Sequence, residues 1–207
     1  MSKLFPALEA LTAELVAEFD QILPERKTLL GEVAGWVRGK VKAGSEAQLT
    51  FICTHNSRRS HLSQIWAQAA ACYYGVPGVH CYSGGTEATA CNPRTVTAMR
   101  RAGFQVICSE PRKENPIYFV QFAENVSSIH AYSKAYSEEP NPQEEFAAIM
   151  TCSHADENCP LVLGAEQRFP VRYSDPKVSD DSPDEAATYY VRLRQIGREM
   201  LYLFSLV

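Results

Sequence analysis

The apolar positions change period several times along the chain, and each change marks an element. Leu8, Leu11, Leu15, Phe19, Ile22 and Leu23 recur at helical spacing, and after Pro24 a second stripe runs through Leu29, Leu30, Val33, Trp36 and Val37. Residues 40–45 then read as a helix end and linker. The pattern switches at residues 49–52, a short apolar and β-branched run expected of a buried strand, and back at Leu62, Ile65, Trp66 and Ala69, expected of a helix. Further strands are expected at 79–83, 104–107, 146–150 and 168–173. A helix starts at Asn92-Pro93, with Asn92 as N-cap, and ends at Gly103. A long C-terminal helix begins with a capping box, Ser182 to Glu185, and carries Tyr189, Val191, Leu193, Ile196, Met200 and Leu203.

The order strand, helix, strand, helix, strand up to residue 107 predicts a parallel sheet with right-handed crossovers. Residues 117–122 and 127–132 interrupt it as two β-like runs, read as an inserted hairpin, and 133–143 as a polar loop. The hairpin either lies over the pocket as a lid or extends a sheet edge. The helical stretch 1–45 is expected to be an extension of the domain formed by 46–207. It either packs on that domain or forms a dimerisation surface.

Composition narrows the class. Hydrophobic residues make up 45% and charged residues 21%, ordinary for a globular protein. A net charge of −4 argues against a nucleic-acid partner, and no apolar run is long enough to span a membrane. The N-terminus has no apolar signal core. With seven cysteines, the expectation is a cytoplasmic protein with mostly reduced thiols.

The candidate chemistry lies at the first strand-to-helix switch, Cys53-Thr54-His55-Asn56-Ser57-Arg58-Arg59-Ser60. A loop entering a helix offers unpaired N–H groups and the positive end of the helix dipole, both suited to anions. A thiol becomes nucleophilic as its thiolate, which a helix N-terminus and a cation favour. Arg59 can grip two oxygens of a tetrahedral anion through its guanidinium fork, Asn56 tolerates left-handed backbone geometry, and Ser60 can donate to the thiolate. Together these supply a nucleophile and an oxyanion cradle. Cys152 and Cys159 lie seven positions apart after the 146–150 strand, a spacing unlike a Cys-x-x-Cys redox pair. Asp175, in the polar loop after the last strand, is a candidate general acid.

The loop resembles the Cys-x5-Arg-Ser loop of the low-molecular-weight protein tyrosine phosphatase superfamily. With Ser83-Gly84-Gly85-Thr86-Glu87-Ala88, Asn92-Pro93-Arg94, the stretch from Cys152 to Pro160, and Asp175-Pro176, the chain is similar to that superfamily's thioredoxin-coupled arsenate reductases over roughly residues 48–204. The resemblance implies an α/β three-layer sandwich around a four-stranded parallel sheet. It implies that Thr54, His55, Asn56, Ser57, Arg58, Arg59 and Ser60 bind arsenate or a phosphate-type oxyanion. Cys53 is then the nucleophile and Asp175 the general acid. A disulfide relay from Cys53 to Cys152 to Cys159 follows, with a thioredoxin-type co-substrate as reductant and no tightly bound cofactor.

The chain departs from the pattern at His55, usually Gly, at Arg58, often Cys, and at Gln64, where many arsenate reductases carry a Glu that helps bind potassium. A potassium site is therefore doubtful, and no metal site is assigned. The alternative is a phosphatase acting on a phosphotyrosine protein or a small phosphomonoester through a Cys53 phosphocysteine. A third reading, zinc held by Cys53, His55, Cys152, His154 and Cys159, meets repulsion from Arg58 and Arg59.

Overall fold

The structure, a computed structural model, describes residues 3–158 and 161–207. Two helices, α1 (Pro6–Ala17) and α2 (Pro24–Lys42), precede strand β1 (Ala47–Cys53) and helix α3 (Arg59–Tyr74). Then come β2 (Val79–Gly85), α4 (Pro93–Arg101), β3 (Gln105–Cys108), β4 (Tyr118–Gln121), β5 (Ile129–Ala131) and β6 (Phe146–Met150). The chain finishes with α5 (Ser153–Asn158), β7 (Ala165–Phe169) and α6 (Glu185–Ser205).

The central sheet is four-stranded and parallel, in the order β2-β1-β6-β7. Its middle strands are buried nearly throughout, as a parallel sheet covered on both faces requires. Alternate residues serve two apolar clusters. Ala47, Leu49 and Phe51 of β1, with Ala147 and Ile149 of β6, face the main core, which contains Trp66, Tyr189, Leu193 and Phe204. Ile52, Phe146, Ala148 and Met150 face a smaller cluster, capped by Ala155 of α5 and by Val162.

The third strand does not continue the parallel sheet, contrary to the strand–helix alternation. β3 pairs antiparallel with β4, and β4 with β5, in a separate three-stranded sheet. The reason is burial. Of β3 only Val106 is buried and Ile107 is 67% exposed, a one-sided pattern suited to an antiparallel sheet with a solvated face. The inserted hairpin is thus an extension of β3. Phe122 is buried, and Phe119 meets His130 edge-to-face.

Two further expectations shift. The last strand is Ala165–Phe169 rather than 168–173, because Pro170 has no N–H to continue the ladder. The capping box does not form: α6 starts at Glu185 after Asp184, the Ser182 hydroxyl donates to Ser179 O (2.7 Å), and the Glu185 carboxylate accepts from Asp181 N (2.7 Å). The Asn92 cap does form, accepting from Arg94 N at 2.9 Å.

The N-terminal helices pack on the rest of the chain. Leu8, Leu11 and Leu15 of α1 and Leu30, Val33 and Val37 of α2 belong to the same cluster as Trp66. Ion pairs from Arg194 to Glu14 and Glu18, and from Arg26 to Glu199, tie them to α6. Where α3 and α6 cross, a Cβ on Gly197 would come within 2.7 Å of Trp66 Cε2 and 2.9 Å of Leu15 Cδ1. Helix propensity alone would make Gly197→Ala stabilising by about 1 kcal/mol. The crossing instead predicts a net loss of about 1–3 kcal/mol, measurable by urea denaturation.

Candidate active site

β1 ends at Cys53, whose side chain is 3% exposed, and the loop up to Arg58 closes before α3. Asn56 sits at φ 43°, in the left-handed region that a tight ring needs. Its side chain holds the ring from inside: Nδ2 donates to Ser60 Oγ (2.9 Å), and Oδ1 accepts from Lys134 N (3.0 Å). Since Ser60 Oγ already accepts from Asn56, its own proton is free for Cys53 Sγ, 3.1 Å away. Ser60 is therefore placed to stabilise a thiolate.

The loop carbonyls are turned outward and occupied. Cys53 O accepts from Thr86 N (3.1 Å), Thr54 O from Glu87 N (2.8 Å), and Ser57 O from Asn92 N (3.0 Å). His55 O accepts from Thr89 Oγ1 (3.1 Å) and Ser133 Oγ (2.8 Å), and the Ser57 hydroxyl donates to Ala90 O (2.7 Å). The N–H groups of His55, Asn56, Ser57 and Arg58 have no acceptor among the described residues. α3 also begins without a side-chain cap. A ring whose carbonyls point out and whose N–H groups are uncommitted is an anion site.

The close approach of the loop to β2 depends on Gly84-Gly85. A Cβ at Gly85 would fall 2.6 Å from Thr54 O and 2.8 Å from Asn56 N, and one at Gly84 would strike the Tyr136 backbone. Residues 133–136, read from sequence only as polar loop, form the other wall. Gly85 N donates to Lys134 O (2.9 Å), and Tyr136 N to Gly85 O (2.9 Å). Nothing periodic announces this wall; its signal is burial of polar side chains, with Ser133 2% and Lys134 3% exposed.

The two arginines part company. Arg59 donates to Tyr173 O (3.1 Å) and pairs with Asp175 Oδ2 (2.5 Å), so the candidate anion-binding arginine and the candidate acid are in contact. Asp175 Oδ1 also caps the 3-10 turn Pro176–Ser179 by accepting from Lys177 N (3.0 Å). The Arg58 side chain leaves the loop. It donates to Tyr189 Oη (2.7 Å) and pairs with Asp180 (3.1 Å), while the Tyr189 hydroxyl donates to Asp180 Oδ1 (2.7 Å). Arg58 therefore contributes its backbone to the ring and braces α6, and the expectation that its side chain lines the oxyanion site does not match this geometry. The half-exposed His55 faces Glu87 at 3.6 Å.

Cys152 lies two residues past Met150, the β6 neighbour of Ile52, is 1% exposed, and shares the small apolar cluster with Cys53. Its Sγ accepts from Ala155 N (3.3 Å) and lies 3.5 Å from Thr54 Oγ1. Both Cys53 and Cys152 are free thiols. Cys159 lies outside the described residues. Cys81 and Cys91 are buried fillers, and burial pushes both thiols up, that of Cys91 to about 12.

The Gln64 amide donates to Cys81 O (3.0 Å), presenting a neutral oxygen where the resemblance has a carboxylate. The buried Lys134 ammonium, which desolvation brings down to about 8, already places positive charge near enough to act on His61. These residues do not fit a resident potassium ion. Among the described residues no group of three or more His, Cys, Asp or Glu side chains is arranged to hold a metal.

Comparison with known proteins agrees with this geometry. The family model described as low molecular weight phosphotyrosine protein phosphatase matches residues 48–123. That stretch includes the Cys53–Ser60 loop, α3, β2 and α4. It is 26% identical over 158 residues to an arsenate reductase of Bacillus licheniformis, covering 75% of this chain and 94% of that one. It is 25% identical to an arsenate reductase of Halalkalibacterium halodurans, covering 72% and 89%. A low molecular weight phosphotyrosine phosphatase from Vibrio cholerae has the same fold, with a TM-score of 0.51 at 11% identity, covering 77% of this chain and 95% of that one.

Two outcomes follow. Gly85→Ala displaces the loop, and kcat/KM toward any oxyanion substrate falls by roughly 100-fold or more, as when an oxyanion donor is lost. His61, fully buried beside Ser83 Oγ (3.2 Å), is pushed down to about 3 by burial first and by Lys134 second. The unfolded chain thus binds a proton below pH 6.5 that the native protein refuses, so stability falls as pH drops from 6.5 towards 3. At pH 5 this costs about 2 kcal/mol, and His61→Asn should flatten the acid limb of a denaturation series by that amount.

Proposed function

We propose that this protein is an arsenate reductase that works through a nucleophilic cysteine and a disulfide relay. The observation that carries the reading is the second buried thiol at the nucleophile loop: Cys152 beside Thr54, in the same cluster as Cys53. Hydrolysis of a phosphoester needs Cys53, Arg59 and Asp175 but has no use for Cys152. The relatives named as arsenate reductases support the same choice.

The chemistry runs as follows. Arsenate enters the ring of N–H groups and takes Arg59 from Asp175. Cys53 attacks arsenic, and Asp175 protonates the departing oxygen, which leaves as water. The Cys152 thiolate then attacks Cys53 sulfur. The sulfur–arsenic bond breaks with its electron pair on arsenic, arsenic(V) becomes arsenic(III), and arsenite leaves as the Cys53–Cys152 disulfide forms. Cys159 attacks Cys152 and passes the disulfide on to a thioredoxin-type reductant. The cytoplasm, where such a reductant operates, is the proposed compartment; among the described residues no helix is long and apolar enough to cross a membrane.

The phosphatase alternative uses the same loop, with water in place of Cys152 in the second step. Mixing reduced protein with arsenate, blocking free thiols and mapping peptides by mass spectrometry separates the two. The reductase reading expects an arsenate-dependent Cys152–Cys159 bond that Cys53→Ser abolishes, and loss of arsenite production by roughly 100-fold or more in Cys152→Ser. Unchanged thiols alongside hydrolysis of an aryl phosphate would replace it with the phosphatase.

A further inference from the structure

The N-terminal helices lie outside residues 48–123, the stretch that the family model matches, yet one of their side chains is joined to the candidate site. Arg26 stands in the first turn of α2 with its side chain 17% exposed. Its Nε donates to Glu199 Oε2 of α6 (2.8 Å), and its Nη2 donates to Arg172 O (3.1 Å). The guanidinium also lies over the Tyr173 ring, 4.7 Å from its centroid. Glu199 is buried, and its other oxygen accepts from Gln195 Nε2 (3.1 Å).

Residues 170–175 belong to no helix or strand, so a few bonds decide where they sit. Val171 N and Arg172 N each turn back two residues, to Phe169 O and Pro170 O, both at 3.0 Å. Tyr173 N donates to Thr151 O (3.0 Å), directly before Cys152. Tyr173 O then accepts from Arg59 Nη1 (3.1 Å), and Asp175, two residues on, pairs with Arg59. Consecutive carbonyls therefore bind two arginines. Arg172 O takes the one from α2, and Tyr173 O takes the one from the anion loop.

We propose that Arg26 is a positioning residue for Arg59. By fixing Arg172 O and the Tyr173 ring, it sets the direction of Tyr173 O, which in turn holds the Arg59 guanidinium at the ring of N–H groups. Arg26 acts through the backbone. The proposal rests on the reading of Arg59 as the residue that grips the anion, and it holds for arsenate and for a phosphoester alike. A planar guanidinium can serve a carboxylate, a carbonyl and an aromatic face at once, which a lysine ammonium cannot. Anchoring α2 to α6 needs only the Glu199 contact. The donor aimed at Arg172 O is what joins the helix to the site. The N-terminal helices thereby become part of the catalytic arrangement and not only a cover for α6.

The test measures anion affinity without turnover. Reduced protein is treated with iodoacetamide at increasing inorganic phosphate, and alkylation of Cys53 is followed by peptide mass spectrometry. The phosphate dependence gives a protection constant for the loop. Arg26→Ala alone would strand the buried Glu199 carboxylate and destabilise the fold for that reason, so Arg26→Met is combined with Glu199→Gln. In the double variant the protection constant should rise about tenfold, the scale of one charge-assisted hydrogen bond. The alkylation rate without phosphate should stay within about twofold, because the loop around Cys53 is unchanged. Glu199→Gln alone keeps Arg26 on Arg172 O, and it should leave the constant within about twofold while lowering the urea midpoint. An unchanged constant in the double variant would overturn the proposal. So would an equal rise in Glu199→Gln alone, or a parallel change in the phosphate-free rate, which marks general loosening. Absence of phosphate protection in the unaltered protein would remove the anion-gripping reading of Arg59 and the proposal with it. The reductase reading fails separately: a shifted constant with no arsenate-dependent disulfide removes the reductase and keeps the role of Arg26, whereas an intact disulfide with an unshifted constant does the reverse.

Discussion

The pairing of β1 with β6 is the constraint on which the site depends. The register sets Ile52 opposite Met150, and Thr151 both donates its N–H and turns its hydroxyl to Ile52 O, at 2.7 and 2.8 Å. Each strand ends within a residue or two of the other, and each delivers a cysteine there. Parallel strands release their loops at the same sheet edge, which is where open α/β sheets bind ligands. Two thiols 99 positions apart in the chain thus share one small apolar cluster because a ladder of backbone hydrogen bonds brings them there.

That edge carries a ring of N–H groups because the surrounding segments take up the carbonyls. The stretch after β2, from Thr86 to Asn92, and Ser133 after β5 bind the outward oxygens. Asn56 locks the inside by bonding Ser60 and Lys134 together. The glycines at 84 and 85 permit the approach. Backbone groups held this way need no reorganisation when an anion arrives, which is the condition for strong electrostatic stabilisation. Lys134 and His61 are buried behind the ring, and both are held toward neutrality by desolvation.

Charge around the ring is arranged in opposing pairs. Arg59 holds Asp175, so the candidate anion-binding arginine and the candidate acid sit together. Arg58 is matched by Asp180 and Tyr189, and Arg94 bridges Asp180, Asp181 and Glu185, so the loop, α4 and α6 are joined behind the acid-bearing turn. The position of Asp175 thereby depends on α6 as much as on its own loop.

The sequence by itself determined the elements that local physics governs. Strand β1, the Asn56 turn, the Asn92 cap, the amphipathic stripes of α1 and α2, and the Cys53–Arg59 loop follow from period, backbone tolerance and capping chemistry within a few residues. The tertiary structure decided what depends on residues far apart in the chain. β3 left the parallel sheet because one of its faces meets solvent, and Ser133 and Lys134 became a wall of the site because their backbone meets the loop. Arg58 turned away because Asp180 and Tyr189, more than a hundred positions later, offered it partners. Hydrogen bonds and charges are satisfied by whatever the fold brings near, and sequence spacing carries no record of that distance.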